Sequence, residues 1–282
     1  MRIIVLGAAG MLGHVAAKFF KEKYGAQVIG CLRSKTGAAW LDEDAFEIDL
    51  ADPKAVEDLI ARHRPCTVIN CAAVNDASKG FEQLDSINTR LPRMIAALLD
   101  NINDGSKLIH ISTDGVFSGS RGQYSENDSP DAQDLYGKSK LAGEVTHPPH
   151  LTIRTSIIGP DPFKSRGLMN WFLSQTGAVK GFTHVFWSGV KTLELVRFID
   201  HAIERNISGL IHLASGKISK YEILVLLKSV FEKEIDIQKE ESVTSDRSLI
   251  STRSEVAYRV PPLREMLGQL KSRMARYPQL YT

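Results

Sequence analysis

Short apolar runs alternate with helix-period patterns through the first half of the chain. Residues 2–6 are a β-branched run, and residues 27–32, 46–48, 67–73 and 107–112 follow as further runs of strand length. Each is short and bounded by turn residues, as a buried strand is. Between them, the segments up to residue 23, over 53–63 and over 88–99 repeat apolar positions at helical spacing. Asp52-Pro53 starts the second of these helices. Strands alternating with helices in this way predict a parallel, doubly wound α/β sheet.

The alternation breaks between residues 160 and 186. Beyond the break, residues 168–175, 193–205, 221–233 and 262–271 read as helices, 210–214 as a strand, and 244–253 as a polar loop. No internal repeat or low-complexity linker separates the two parts. Residues 1–155 are therefore expected to form the sheet domain, completed by about 186–214, with residues 156–185 and 215–282 as a smaller lobe. A cleft between the two is the expected binding site.

The first strand runs into Gly7-Ala8-Ala9-Gly10-Met11-Leu12-Gly13 and then a helix. Gly7 permits a tight turn, Gly10 lets a pyrophosphate approach the backbone, and Gly13 lets the helix pack against the sheet. The helix N-terminus, with Met11 and Leu12 beside it, then faces the phosphates with free N–H groups. This makes residues 1–155 a dinucleotide-binding domain of Rossmann type. The second strand ends in Arg33-Ser34-Lys35, where an acidic residue would select a ribose 2′-hydroxyl. Arg33 accommodates a 2′-phosphate, so NADPH is expected, with NADH as the alternative cofactor. The competing reading of that stretch is a solvated basic loop. Asp49 and Leu50 fall where an adenine ring would lie. Cys71, Ala72 and Ala73 are small enough for the cofactor to lie flat across the strand ends.

Bulk properties narrow the field. The 282 residues are 43% hydrophobic and 24% charged, and 35 basic against 33 acidic residues leave a net charge of +2. That balance offers no reason to propose nucleic acid or an anionic membrane as partner. No apolar run approaches bilayer length, and glycines follow the first residues too soon for a signal peptide. Three cysteines, Cys31, Cys66 and Cys71, fit reduced thiols in a cytoplasm. No Cys/His spacing calls for a metal, and His147-Pro-Pro-His150 reads as a loop.

The chemistry is concentrated in Tyr136 and Lys140, four apart in a helix expected over 135–145. Both side chains then share one face, a turn apart. An ammonium ~4 Å from a phenol, at an effective dielectric of ~20, favours the phenolate by roughly 4 kcal/mol. That corresponds to about 3 pKa units, enough to make Tyr136 a general acid or base near neutrality. Thr113, at the end of a strand in Ser112-Thr113-Asp114, can hold the oxygen being protonated. An ordinary amphipathic helix with a surface Tyr and Lys is the alternative. The convergence of Gly7–Gly13, Arg33, Asp49, Ala72 and Thr113 at the carboxyl ends of the strands weighs against it.

Gly7-x-x-Gly10-x-x-Gly13, Asn70-Cys71-Ala72-Ala73, Asn88, Ser112-Thr113-Asp114 and Tyr136-x-x-x-Lys140 together resemble the extended short-chain dehydrogenases/reductases. Residues 112–119, 153–156 and 209–214 are similar to the dTDP-4-dehydrorhamnose reductase branch of that superfamily. The resemblance implies an NADPH-dependent reductase of a nucleotide-activated 4-keto-6-deoxy sugar. In it Tyr136 protonates the carbonyl oxygen, Lys140 binds the nicotinamide ribose and lowers the Tyr136 pKa, and Thr113 orients the carbonyl. It makes Asn88 a structural or relay partner beside the cofactor and places Asp114 on the substrate side, with a nucleotide sugar, and at most a second copy of the chain, as partners. Asn170 and Trp171 are pocket candidates, Trp171 equally a core anchor. Arg247 and Arg253 are candidates to clamp a diphosphate, or solvated charges.

Three positions depart from the branch: Gly115 stands where an aromatic residue is usual, Ile157 where a Trp is usual, and residues 246–251 blur a sugar-binding motif. All lie on the expected substrate side. Two rival functions stay open at this stage. One is a nucleotide-sugar epimerase or dehydratase with tightly bound NAD, which Arg33 opposes. The other is a non-catalytic cofactor-binding regulatory subunit, which the Tyr136–Lys140 pair opposes.

Overall fold

The structure, a computed structural model, describes residues 2–34, 45–163 and 167–281. The strands are β1 (Ile3–Leu6), β2 (Val28–Leu32), β3 (Phe46–Glu47), β4 (Thr67–Asn70), β5 (Lys107–Ile111) and β6 (Leu151–Arg154). They continue with β7 (Ile157–Ile158), β8 (Ala178–Phe182), β9 (Val185–Trp187), β10 (Val190–Lys191), β11 (Gly209–His212), β12 (Ile218–Ser219), β13 (Asp236–Glu240) and β14 (Ser245–Asp246). The helices are α1 (Gly13–Tyr24), α2 (Pro53–His63), α3 (Phe81–Leu84), α4 (Leu91–Ile102) and α5 (Leu135–Ala142). After them come α6 (Leu168–Ser174), α7 (Thr192–Glu204), α8 (Lys220–Phe231), α9 (Leu263–Arg276) and α10 (Pro278–Tyr281).

Among the described residues, seven strands form one sheet in the order β11-β6-β5-β4-β1-β2-β3, every neighbouring pair parallel. The order reverses beside β1, which is where doubly wound sheets bind ligands. Both faces are buried, because successive side chains alternate between two helical layers. Ile3, Val5, Ile69 and Ile109 pack with α1 and α7 through Val15, Phe20, Leu195 and Ile199. Ile4, Leu6, Val68 and Leu108 pack with α2 and α4 through Val56, Leu59, Ile95 and Leu99.

The expected α/β alternation is present, with differences that have local causes. Asp52 caps α2 by accepting from the Lys54 and Ala55 N–H groups, and Pro53 occupies its first position. The helix expected over 88–99 instead starts at Leu91. Residues Asp85–Arg90 before it are a π-helix, which carries Asn88 into the interior. The helix expected to reach residue 145 stops at Ala142, where Gly143 follows and a Cβ would strike the Asn88 carbonyl. The polar stretch read as a loop contains β14, which pairs with β9 beside β12. Strands β8 and β13 form a separate parallel pair.

Strand β11 ends the sheet, yet its outer edge is not bare. The Glu126 carboxylate accepts from the His212 N–H at 2.8 Å. The Arg253 guanidinium donates to the Ser208 and Leu210 carbonyls at 3.1 and 2.9 Å. Side chains thus take the places a further strand would fill.

Candidate active site

The glycines behave as their spacing demands. Gly7 has φ +72°, and a Cβ there would lie 2.9 Å from Ala72 backbone atoms, so the turn admits only glycine. A Cβ on Gly13 would overlap the Gly7 carbonyl, which fixes how tightly α1 meets β1. The Gly10 N–H closes the turn onto the Gly7 carbonyl at 2.9 Å. Helix α1 begins at Gly13 with no side-chain cap and no acidic residue in its first turn. Its positive end is therefore left for an anion.

Two adjoining clefts of about 560 and 510 Å³ meet at Gly10, Cys71 and Ala72. The second is lined by Gly7, Arg33, Asp49, Leu50 and Ala73, and so gathers the residues expected to take the adenosine half of a dinucleotide. Lys35 lies outside the described residues. The first cleft is lined by Met11, Leu12, Thr113, Tyr136, Lys140 and Ile157. A glycine-floored groove, an uncapped helix end and a terminal arginine fit a phosphorylated dinucleotide in shape and charge.

Thr113, Tyr136 and Lys140 converge as expected. The Thr113 hydroxyl and the Tyr136 ring both flank Gly115, and the Thr113 oxygen accepts from the Gly115 N–H at 3.0 Å. Asp134 caps α5 by accepting from the Gly137 N–H at 2.7 Å, which sets the first turn carrying Tyr136. Lys140 is buried, its Nζ 3.3 Å from His110 Nε2. Behind Thr113, Glu144 and Arg154 form a buried two-point ion pair at 2.9 and 2.7 Å, and Ser112 donates to the same carboxylate at 2.6 Å. This pair ties α5 to the strand ends.

The expected lowering of the Tyr136 pKa does not hold in this state. Burial pushes the phenol up to about 12, with the Asp114 and Asp134 carboxylates adding to the rise and Thr113 opposing it. Lys140 is itself driven down to about 8 by burial, against the pull of Glu144 and Cys71. The phenol feels its burial, Thr113, Asp114 and Asp134 rather than Lys140.

Asp114 is half-buried beside Thr113, and burial raises its carboxyl despite Lys220 and Arg247. Arg247 reaches toward Asp134 at 3.5 Å and keeps a buried Nε without a partner, so it stands near the site. Lys220, the first residue of α8, was not legible from spacing; its lowered pKa comes from burial, opposed by Asp114.

Other candidates are placed elsewhere. Arg253 is spent on the β11 edge. The Asn88 amide is used up by Val74 and Ser139, linking the loop after β4 to α5. Asn170 brackets the Asp161 backbone from both sides. Trp171 is 43% exposed, which removes the core-anchor reading.

Asp100, His147 and His150 bring three possible metal-ligating atoms within 4.8 Å of one another. The Leu108 N–H donates to His150 Nδ1 at 3.0 Å, so the proton of a neutral ring sits on Nε2, facing Asp100 at 3.1 Å. The cluster is a hydrogen-bonded strut. No helix among the described residues is long and apolar enough to cross a membrane.

A family model described as the RmlD substrate binding domain matches residues 1–245. A probable low-salt glycan biosynthesis reductase of Haloferax volcanii is 30% identical over 229 residues, covering 76% of this chain and 75% of that protein. The methionine adenosyltransferase 2 subunit beta of Danio rerio is 36% identical over 143 residues, covering 51% of this chain but only 42% of that one. Several of the curated relatives are thus matched over less than half their length. Among solved structures, a hypothetical dTDP-4-dehydrorhamnose reductase from Sulfolobus tokodaii has a TM-score of 0.78 at 30% identity, covering 90% of this chain and 94% of that one. A dTDP-4-dehydrorhamnose reductase from Bacillus anthracis, in complex with NADP, has the same fold: TM-score 0.80 at 22% identity, covering 96% and 99%.

Proposed function

The chain belongs to the RmlD substrate binding domain family, and from that premise we propose that it is an NADPH-dependent reductase of a nucleotide-activated 4-keto-6-deoxy sugar. The observation that carries the proposal is the gathering of Thr113, Tyr136 and Lys140 in the cleft that Gly10 opens. A bound NADPH supplies the hydride. Gly7, Gly10 and Gly13 leave room for its pyrophosphate at the start of α1, and Arg33 takes its 2′-phosphate. Thr113 holds the keto oxygen within reach of the Tyr136 hydroxyl. As that oxygen gains negative charge, Tyr136 gives it a proton, so the carbonyl becomes an alcohol and Tyr136 is left to recover its proton from solvent. Lys140 holds the nicotinamide ribose. Burial serves this direction, because a phenol held at about 12 arrives protonated.

Substrate selection falls to the other wall. Ile157 lines the cleft, and Gly115 lies where a Cβ would come within 3.7 Å of the Tyr136 ring. A wider, less aromatic sugar site follows, with Asp114, Lys220 and Arg247 supplying its polar contacts. The intact Thr113–Tyr136–Lys140 grouping favours a reductase over a subunit that only binds cofactor.

The test is stoichiometric loss of reduced-nicotinamide absorbance with a panel of dTDP-, UDP- and GDP-linked 4-keto-6-deoxy sugars. A Tyr136→Phe variant should lose activity by ~10²–10⁴-fold while still binding NADPH. Turnover without net NADPH consumption would instead identify an epimerase, and no turnover with any sugar would leave a binding protein.

A further inference from the structure

A chain of buried hydrogen bonds runs from the backbone of β4 to the amine of Lys140, and its direction is set at the end that cannot turn. The Ala72 N–H donates to Asn70 Oδ1 at 3.1 Å. A backbone N–H is only ever a donor, so Oδ1 must face it, and the Asn70 Nδ2 must face His110. That Nδ2 lies 3.2 Å from His110 Nδ1. An amide NH₂ only donates, so Nδ1 must accept, and a neutral ring then carries its proton on Nε2. Nε2 points at Lys140 Nζ, 3.3 Å away.

An ammonium there would oppose N–H to N–H across 3.3 Å. Lys140 can complete the chain only by offering a lone pair. Turning the Asn70 amide over moves the clash to Ala72 without removing it. Charging His110 is opposed by its burial, which holds its pKa well below the ordinary value.

We propose that His110, pinned in its Nε2–H tautomer by Asn70, favours the neutral amine of Lys140 in the cofactor-free protein, so that at alkaline pH Lys140 takes up a proton from solvent when the nicotinamide cofactor binds. This rests on the reductase reading, which puts the cofactor's ribose and phosphates at Lys140. His110 is a positioning residue in this scheme, acting through Lys140 rather than on the cofactor or substrate. Incoming hydroxyl oxygens give an ammonium acceptors that His110 denies it, and phosphate charge favours the cation.

Of the other titratable groups facing Lys140, Glu144 draws it toward the cation and burial outweighs that pull. Cys71 stays a thiol, pushed up to about 12 by burial. Glu144 is committed to Arg154 and Ser112. Tyr136, on the preceding turn, is protonated. In this scheme the cation that lowers the phenol arrives with the cofactor, so proton transfer is tuned only in the loaded protein.

Two measurements test it. In the cofactor-free protein, ¹⁵N-histidine NMR should show His110 protonated on Nε2 and bare on Nδ1; a proton on Nδ1 would overturn the proposal, whatever the protein binds. Calorimetric titration of the Tyr136→Phe protein, which has no phenol to release a compensating proton, with NADPH at about pH 9, in buffers of differing ionisation enthalpy, should then show close to one proton taken up per site. The 2′-phosphate, with a pKa near ~6, is silent at that pH. The isosteric Asn70→Asp variant replaces the donor with an acceptor, moves the His110 proton to Nδ1 and lets Nε2 accept from an ammonium, so its uptake should fall toward zero. Buffer-independent heat in the Tyr136→Phe protein would refute the inference while leaving NADPH binding intact. Absence of any NADPH heat would refute the reductase reading instead, with the NMR tautomer still deciding the role of His110.

Discussion

The backbone of Gly137 presses on the carbonyl oxygen of Gly115, so closely that a Cβ on Gly137 would overlap that oxygen. One turn of helix and one strand-end turn are thereby locked together, with Tyr136 on the first and Thr113 on the second. At the other end of α5, Gly143 meets the Asn88 carbonyl in the same way. Gly137→Ala should displace the Tyr136 hydroxyl from Thr113 and lower kcat by ~10²-fold, as a misplacement near 1 Å does. Steady-state kinetics should show the loss in kcat more than in KM. Gly268→Ala is the control: a Cβ there meets nothing within 4 Å, and α9 should gain up to ~1 kcal/mol of stability.

Arg33 lines the adenosine end of the cleft with Asp49 and Leu50. A charge-assisted contact to a 2′-phosphate contributes about 1.5–3 kcal/mol. Arg33→Glu should therefore reduce the preference for NADPH over NADH by roughly 10–100-fold, read as the ratio of kcat/KM values. An unchanged ratio would assign the stretch to solvent.

Glu144 and Arg154 are both nearly inaccessible, at 6 and 4% side-chain exposure. Removing one partner leaves a buried charge, so Arg154→Met should cost about 3–5 kcal/mol. Urea unfolding should show this as a lowered midpoint. Because Ser112 shares the carboxylate, activity should fall even where the variant remains folded.

His14 opens α1 beside the glycine turn, its Nδ1 on the Gly10 carbonyl and its Nε2 2.9 Å from the Tyr281 hydroxyl. Burial, ahead of the opposing Gly10 bond, lowers its pKa from 6.5 to about 4. The unfolded chain then binds the proton first as the pH falls. Stability should drop from about pH 6.5 toward pH 4, by up to about 3 kcal/mol from this group, and be unaffected by it at higher pH. His14→Gln should flatten that limb in pH-dependent thermal melts.

Strands β1 to β5 were legible because each is an apolar run between turn residues, and the glycine spacing announced its own geometry. Strand β6 was not singled out as a strand: it is four residues long and follows Pro148-Pro149. Strand β13, Asp-Ile-Gln-Lys-Glu, is mostly polar, and its pairing with β8 comes from tertiary position rather than pattern. The shared helix face of Tyr136 and Lys140 followed from helical period, and its weight as a site came from the glycine turn and strand ends that converge with it. The state of that pair followed from neither, because it depends on Asn70 and His110, which adjacent parallel strands bring side by side. Arg253 was unreadable for a similar reason. Its carbonyl acceptors lie 45 and 43 residues away in sequence.

The dressing of β11 by Glu126 and Arg253 reaches beyond a single molecule. With its hydrogen-bonding rail already taken, that margin cannot template strand addition by another polypeptide, whether in runaway polymerisation or in a continuous sheet through a dimer. Any self-association on that side must proceed through side-chain contact alone. Loss of either residue would be felt first as a tendency to clump at high concentration, before any change in catalysis.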